Sequence, residues 1–319
     1  MSWNTIESDA GIFTQLVRDL GVSGVQFAEI PMLDSLEELA PSLYGAIFLF
    51  KYNSSDYSGN GPMQGAYNFD YPDSLFFANQ TIQNACGTLA VLNTLLSLSS
   101  EFPEEIRLGD TLSEFTSFTS AFKDPVLRGE SISNSDHIRN VHNSFSTPDP
   151  FVLDEKTPDD GRKAAEVFHF VSFMEHEGIL YELDGLQPAP IVHCEYSNVS
   201  QDKLTFAQNI VSLLQNRMQL CMNSGGKFSV IAIHRDAIER LEELHHQGAI
   251  TDQDYQYEYS KELQKREMWG KELSMRRQNL YGLVFELLKQ ISSSMTEEEF
   301  ANHIERAQKT TLKRLKRRN

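Results

Sequence analysis

The longest nearly apolar pattern in the chain follows Cys86. Residues 87–98 place leucine, valine and alanine on almost every face of a helix and contain few polar positions. Such a pattern is typical of a helix buried in the middle of a domain rather than one lying on its surface. It therefore predicts a central helix with Cys86 in its first turn.

Shorter patterns predict strands and helices that alternate around this central helix. Ser8 is expected to start an amphipathic helix that Gly21 ends. Strands are predicted at 25–30, 44–51, 167–174, 179–185, 192–195 and 228–234, and further helices at 107–122 and 133–145. The alternation indicates an α/β or α+β fold class.

The pattern changes after about residue 235. The sequence becomes charged and helix-prone, with a break at Gly248. Residues 280–291 then form a short apolar segment, and Thr296 with Glu299 makes a capping box that opens a last helix. The predicted domains are a main domain at 1–235, a charged helical linker at 236–279 and a C-terminal helical extension with a basic tail at 280–319.

The extension is too small to have a core of its own. Its apolar positions need a surface to cover them, either on the main domain or on a partner.

Four side chains carry candidate chemistry. Cys86 supplies a thiol, His169 an imidazole, Asp184 a carboxylate and Gln80 an amide, which are the parts of a cysteine hydrolase. The first turn of a helix favours a thiolate, and a protonated imidazole nearby favours it further, so we expect a lowered pKa for the Cys86 thiol. Gln80 could place its amide beside the backbone N–H of Cys86 and stabilise an oxyanion.

His169 and Asp184 lie on two strands that a short connection joins. If residues 175–178 form a four-residue hairpin loop, His169 and Asp184 face each other directly across the hairpin. The carboxylate would then hold the tautomer and orientation of the imidazole. Taken singly, a lone cysteine or histidine is more often structural than catalytic; the combination favours catalysis.

Charge is divided unevenly along the chain. Residues 1–225 contain 11 Lys and Arg against 30 Asp and Glu, whereas residues 226–319 contain 17 against 15. An acidic main domain excludes a nucleic-acid partner and suits a basic protein substrate. An acidic excess that only maintains solubility is the competing interpretation.

Cysteine usage and apolar length bound the remaining possibilities. Three widely spaced cysteines fit a reducing compartment better than a disulfide framework. No metal-binding spacing is present, and His245 with His246 suits solvent better than a metal, so no metal or other cofactor is expected. We expect no signal peptide, and no apolar run is long enough to span a bilayer, so no membrane partner is expected.

Residues 147–161 are predicted to be a mobile loop. Pro148, Pro150 and Pro158 prevent a helix, and five acidic residues keep the segment solvated. An ordinary connection is the alternative to a functional loop here.

The chain resembles the ubiquitin C-terminal hydrolases, in particular the proteasome-associated type with a C-terminal extension. The resemblance is carried by three blocks in order and spacing, at 80–86, 168–172 and 181–186. It extends to Trp3, 6–9, 47–51, 112–115, 134–136, 141–145 and the helices of 280–318.

The resemblance implies a knotted α/β fold with a central antiparallel sheet and a thiol-dependent deubiquitinase. Cys86 would be the nucleophile, His169 the base, Asp184 its orienting group and Gln80 the oxyanion donor. The loop at 147–161 would cross over the active site and limit what can pass. Ubiquitin and its conjugates would be the substrates, and a ubiquitin-receptor subunit of the proteasome's regulatory particle would bind the C-terminal helices. The expected location is the nucleus and cytoplasm.

Two alternatives remain at this point. Papain-like proteases share the spacing from Gln80 to Cys86, although Asp184 follows His169 too closely for that group. A non-catalytic ubiquitin-binding scaffold would have no need of all four side chains.

Overall fold

A computed structural model describes residues 2–52, 61–146, 168–195, 203–223, 227–278 and 280–318. The helices are α1 Ala10–Asp19, α2 Asp34–Glu38, α3 Cys86–Glu101, α4 Gly109–Thr119, α5 Pro125–Asn134, α6 Asp136–Asn143, α7 Lys203–Asn223, α8 Ala237–His246, α9 Asp252–Arg277, α10 Tyr281–Ser293 and α11 Glu297–Arg318. The strands are β1 Val25–Glu29, β2 Leu43–Lys51, β3 Ala66–Tyr67, β4 Phe168–His176, β5 Ile179–Leu183, β6 Ile191–Glu195 and β7 Phe228–Arg235.

The strands form one sheet in the order β1-β7-β2-β4-β5-β6-β3, and neighbouring strands are antiparallel. Side chains of β2 alternate between the two faces. Ile47 joins a core with α1 and α3, whereas Phe48 joins a second core with α2 and α7. Helices therefore cover both faces of a central antiparallel sheet, which confirms the predicted fold class.

The hairpin between β4 and β5 differs from its prediction. His176 pairs with Ile179, so the loop has two residues, Glu177 and Gly178, instead of four. Both have positive φ, 48° and 81°, as a type I′ turn requires. The predicted register is therefore wrong by two residues, and His169 and Asp184 are diagonal neighbours instead of directly opposed. A displacement by two residues leaves every side chain on the same face.

Two helix boundaries also differ from their predictions. Asp9, not Ser8, caps α1: its Oδ1 accepts a hydrogen bond from Ile12 N at 3.0 Å. The helix predicted at 133–145 is interrupted at Ser135, whose hydroxyl oxygen accepts from Ile138 N at 3.3 Å and starts α6. The N–H groups in the first turn of a helix have no partner within the helix, and a capping side chain that accepts from one of them stabilises the start of the helix.

A buried ionic cluster joins α7 to the sheet. Arg217 Nη2 donates to both carboxylate oxygens of Glu182, at 2.8 and 2.5 Å. His193 Nε2 lies 2.8 Å from Glu182 Oε2. Glu182 and Arg217 are almost fully buried, and removing one partner of such a pair leaves the other charge uncompensated.

The segment predicted as a charged linker forms α8 and α9, and α9 packs against the main domain. Arg266 Nη2 donates to both carboxylate oxygens of Asp236 at 2.9 Å. Arg266 Nε also contacts Glu262, which accepts from Gln26 Nε2 at 2.8 Å. Burial alone raises the pKa of the Asp236 carboxyl, but the hydrogen bonds and charge of Arg266 outweigh it, so the pKa lies below its usual range. The apolar contacts of α9 come from Trp269 and the buried Leu273.

Helices α10 and α11 expose their apolar side chains. Leu283, Phe285 and Leu288 are 58, 66 and 60% exposed, and Phe300 and Ile304 are also exposed. The predicted capping box is confirmed: Thr296 N donates to Glu299 Oε2 at 3.0 Å, and Glu299 N donates to the Thr296 hydroxyl at 3.3 Å.

The loop predicted at 147–161 lies outside the described residues. Within the part of the chain that the structure describes, every helix is too short or too polar to cross a membrane.

Candidate active site

Cys86 is the first residue of α3, as predicted. A short 3-10 helix at Gln83–Ala85 precedes it, and residues 87–98 of α3 are buried. Gly87 packs against the rings of Phe13 and Phe170: a Cβ added there would lie 3.4 and 3.6 Å from them. Because Phe170 follows His169 on β4, this close packing brings the start of α3 to the part of β4 that carries the imidazole.

The environment of the Cys86 thiol opposes ionisation. Burial raises its pKa to about 11, although the backbone N–H groups of Gly87 and Cys86 itself act in the opposite direction. The predicted lowering of the thiol pKa is therefore wrong for this structure. The N–H groups at the helix terminus lower the thiol pKa as expected, but removal of the thiolate from water raises it by more. At neutral pH the thiol is protonated.

Slow alkylation of the free protein is expected from this protonation state. Because iodoacetamide reacts with the thiolate, the rate at Cys86 should rise about tenfold for each pH unit between roughly pH 7 and 9, where the thiolate is a small fraction of the thiol. Peptide mapping by mass spectrometry separates Cys86 from Cys194 and Cys221. A rate at Cys86 that reaches its plateau below about pH 8 would contradict the raised pKa.

His169 and Asp184 form a buried hydrogen-bonded pair. Nε2 of His169 lies 2.6 Å from Oδ1 of Asp184, and the two side chains are 3 and 2% exposed. Diagonal neighbours across an antiparallel pair are within reach of side chains of this length, so the contact forms despite the changed register.

Two aromatic rings that the sequence does not mark as functional enclose the imidazole. Phe50 lies opposite His169 in the pairing of β2 with β4, and the ring centroids are 5.8 Å apart with their planes near perpendicular. The ring of Tyr52 is 6.3 Å away in a similar orientation. Phe50 is identified only by the register of β2 against β4, and Tyr52 lies one residue beyond β2. A single sequence does not give that register.

Asp184 begins a tight turn that fixes its carboxylate. Oδ1 also accepts a hydrogen bond from Leu186 N at 2.9 Å, and the Asp184 carbonyl accepts from Gln187 N at 2.9 Å. Gly185 has no room for a side chain, since an added Cβ would lie 2.6 Å from the Leu89 side chain of α3. The carboxylate, its turn and the helix of Cys86 therefore pack as one unit.

Gln80 is tied to that turn through its backbone. Its N–H donates to the Gly185 carbonyl at 2.8 Å. The candidate oxyanion donor and the candidate orienting carboxylate thus lie on two segments joined by a main-chain hydrogen bond. The structure brings Gln80, His169 and Asp184 into one site where β4 begins and β5 ends, beside the first turn of α3 that Cys86 begins. Their individual catalytic roles remain predictions.

Comparison with known proteins identifies the family. The sequence profile of "Ubiquitin carboxyl-terminal hydrolase, family 1" matches residues 3–219. The chain belongs to this family. The match decides between the two groups of thiol hydrolases that share the Gln80-to-Cys86 spacing, in favour of the ubiquitin hydrolases.

This ubiquitin carboxyl-terminal hydrolase is also similar to individual relatives over most of its length. It is 41% identical to ubiquitin carboxyl-terminal hydrolase 2 of Schizosaccharomyces pombe over 294 residues, which cover 91% of this chain and 90% of the relative. It is 38% identical over 243 residues to ubiquitin carboxyl-terminal hydrolase isozyme L5 of Dictyostelium discoideum, covering 76% of this chain and 64% of the relative.

A solved structure is also similar to this hydrolase. The crystal structure of Trichinella spiralis UCH37 bound to ubiquitin vinyl methyl ester matches this hydrolase with a TM-score of 0.64 and 30% identity. The match covers 84% of this chain and 99% of the other. All four candidate residues lie within the family match at 3–219.

Proposed function

We propose that this hydrolase is a cysteine-dependent deubiquitinase in which Cys86 attacks the carbonyl of ubiquitin's C-terminal glycine. The observation that carries the proposal is the buried bond of 2.6 Å between His169 and Asp184, next to a helix that begins at Cys86. An imidazole oriented by a carboxylate and adjacent to a thiol is the arrangement that activates a sulfur nucleophile.

In the resting state the Cys86 side chain is a neutral thiol. Because Nε2 of His169 donates to Asp184, Nδ1 is the nitrogen that takes the thiol proton as the sulfur attacks. The raised pKa of Cys86 supports proton transfer during the attack rather than an ion pair formed beforehand. Asp184 stabilises the imidazolium that results.

The remaining steps follow from proton balance. The carbonyl oxygen becomes an oxyanion, which the backbone N–H of Cys86 and the Gln80 amide stabilise. The imidazolium then donates its proton to the leaving amine as the C–N bond breaks, and a thioester remains. Water, deprotonated by His169, attacks the thioester, and release of ubiquitin returns the proton to the Cys86 sulfur. The leaving group is a lysine amine or a small adduct.

The charge of the chain supports a basic substrate. Residues 1–225 have an excess of acidic over basic residues, 30 against 11. Such a field attracts the basic C-terminal tail of ubiquitin to the site and increases the rate of encounter.

We further propose that α10 and α11 bind a ubiquitin-receptor subunit of the proteasome's regulatory particle. Their apolar side chains are exposed, with Phe285 at 66%, so the free energy of covering them is available to a partner.

The proposed location is the nucleus and cytoplasm. The basic residues from Lys309 to Arg318 suit import into the nucleus or an acidic partner. A fluorescent fusion with and without residues 309–319 tests the first of these roles: loss of nuclear signal supports it, and an unchanged distribution contradicts it.

Replacing Asp184 by asparagine tests the catalytic arrangement. Asp184→Asn retains the shape of the side chain but can favour the wrong imidazole tautomer, so kcat for a ubiquitin–fluorophore conjugate should fall by about 10²- to 10⁴-fold. Ubiquitin binding should change little. Because the nucleophile is still present, the loss should be smaller than that of Cys86→Ala. A kcat within about threefold of the wild type would exclude Asp184 as the orienting group.

A further inference from the structure

We propose that Asn79 is a positioning residue that holds the oxyanion donor Gln80 and the orienting carboxylate Asp184 in a fixed relation. This inference deepens the proposed function and rests on it. Asn79 does not act on the reacting atoms directly; it acts through Gln80 and Asp184.

The side-chain amide of Asn79 joins the two segments. Nδ2 donates to the Gly185 carbonyl at 3.1 Å and to the Gln187 carbonyl at 2.7 Å. The next residue, Gln80, donates its own N–H to the same Gly185 carbonyl at 2.8 Å. Three hydrogen bonds therefore connect residues 79–80 to the turn that Asp184 begins.

A shift of that turn would displace the carboxylate. Asp184 Oδ1 accepts from Leu186 N within the turn, and the same oxygen is 2.6 Å from His169 Nε2. Movement of the Gly185 and Gln187 carbonyls therefore changes the angle at which Asp184 meets the imidazole. The same movement displaces the backbone of Gln80. Loss of the Asn79 amide therefore affects the positions of both candidate catalytic groups.

The backbone of Asn79 and the far side of the turn are also held in place. Asn79 N donates to the Pro125 carbonyl at the start of α5, at 2.8 Å. On the far side of the turn, the Tyr67 hydroxyl donates to Gln187 Oε1 at 2.6 Å. The amide of Asn79 therefore holds the turn against α5, while Tyr67 of β3 holds it against the edge of the sheet.

The chemistry of the position favours an amide specifically. One amide nitrogen supplies two N–H groups, and here each meets a carbonyl oxygen. Aspartate has the same shape but would direct an oxygen at two carbonyl oxygens, which removes both hydrogen bonds and adds repulsion. Alanine removes the hydrogen bonds without the repulsion.

The test compares Asn79→Ala and Asn79→Asp by steady-state hydrolysis of a ubiquitin–fluorophore conjugate near pH 8. Because misplacement of a catalytic group by about 1 Å can cost 10²-fold, kcat of Asn79→Ala should fall by about 10- to 100-fold. KM should stay within about threefold, since Asn79 is given no role in binding ubiquitin. Asn79→Asp should lose at least as much kcat as Asn79→Ala, whereas a residue that only fills space predicts the reverse order.

A second measurement determines whether Asn79 acts through Gln80. Asn79→Ala is introduced into Gln80→Ala, where the extra loss of kcat should be clearly smaller than in the wild-type background, because one of the two groups that Asn79 positions is gone and only the part that acts through Asp184 is left. Equal losses in both backgrounds would overturn the proposal that one amide holds both groups, because Asn79 would then act without Gln80. A kcat of Asn79→Ala within threefold of the wild type would overturn it as well. Thermal unfolding identifies the variants that fold. If only one of the two Asn79 variants folds, its kcat is compared with that of the wild type.

Asn143 supplies the matched control. It also bridges two segments with its amide, donating to Ser2 O at 2.9 Å and accepting from Asn4 N at 3.0 Å, and Asn143→Ala should leave kcat unchanged. An equal loss of kcat in Asn143→Ala would overturn the assignment to Asn79. Failure of the proposed function would appear differently, as an inactive wild type or as activity that survives Cys86→Ala, and it would overturn both proposals. Failure of this inference alone would leave a wild type that is active and dependent on Cys86.

Discussion

Cys86→Ala is expected to abolish hydrolysis of a ubiquitin–fluorophore conjugate and to leave ubiquitin binding within about twofold. Removal of a nucleophile costs on the order of 10⁶-fold in kcat in enzymes of this general kind. Binding should persist because the substitution removes only one sulfur atom, from a half-buried side chain at the start of α3. Hydrolysis is followed by fluorescence release, and binding by titration with unmodified ubiquitin.

Cys221→Ala is the control for this substitution. Cys221 is also a half-buried cysteine, but it lies on α7 and packs against the core on the other side of the sheet. Its replacement should leave kcat unchanged. Turnover by Cys86→Ala close to that of the wild type would exclude Cys86 as the nucleophile.

Removal of residues 280–319 is expected to abolish co-purification with the proteasome while basal ubiquitin hydrolysis continues. The four candidate catalytic residues all precede residue 185, and the buried contacts of α9, including Leu273, also lie before the truncation. The removed helices carry the exposed apolar side chains for which a partner is proposed. Hydrolysis is measured on the purified truncated enzyme, and association by affinity purification of proteasomes from cells that express it.

A full-length variant with two substitutions distinguishes the loss of apolar contacts from the removal of the helices themselves. Leu283→Asp with Leu288→Asp retains both helices but places charge where side chains are 58 and 60% exposed. It should lose proteasome association as the truncation does, without loss of thermal stability. Recovery of the truncated enzyme on proteasomes in wild-type amounts would refute the docking proposal.

The hairpin of β4 and β5 illustrates what a sequence pattern can and cannot predict. The alternation of apolar residues identifies both strands, and therefore the face that His169 and Asp184 share. The register was missed because a type I′ turn needs positive φ at both central residues, and Glu177 is an unusual residue for that conformation. The error did not separate the pair, since a displacement by two residues preserves the face.

The pKa of the Cys86 thiol and the packing of α9 against the main domain could not be predicted for a different reason. The sequence identifies the helix terminus at Cys86, but the degree of burial, which raises the thiol pKa, depends on neighbours distant in sequence. Similarly, α9 is polar along nearly its whole length, yet Arg266 and Glu262 are held against the main domain by Asp236 and Gln26. Pairings across such separations are not encoded in local periodicity.

Reaction with ubiquitin vinyl methyl ester is the most direct test of the central claim, that Cys86 is the nucleophile of a ubiquitin hydrolase. The vinyl group accepts a sulfur nucleophile at the position where the scissile carbonyl would lie. Intact-mass and peptide-mapping spectrometry should find one ubiquitin adduct per chain, located on Cys86, with no adduct in Cys86→Ala. Absence of an adduct on the wild type, or an adduct on Cys194 or Cys221 instead, would contradict the assignment.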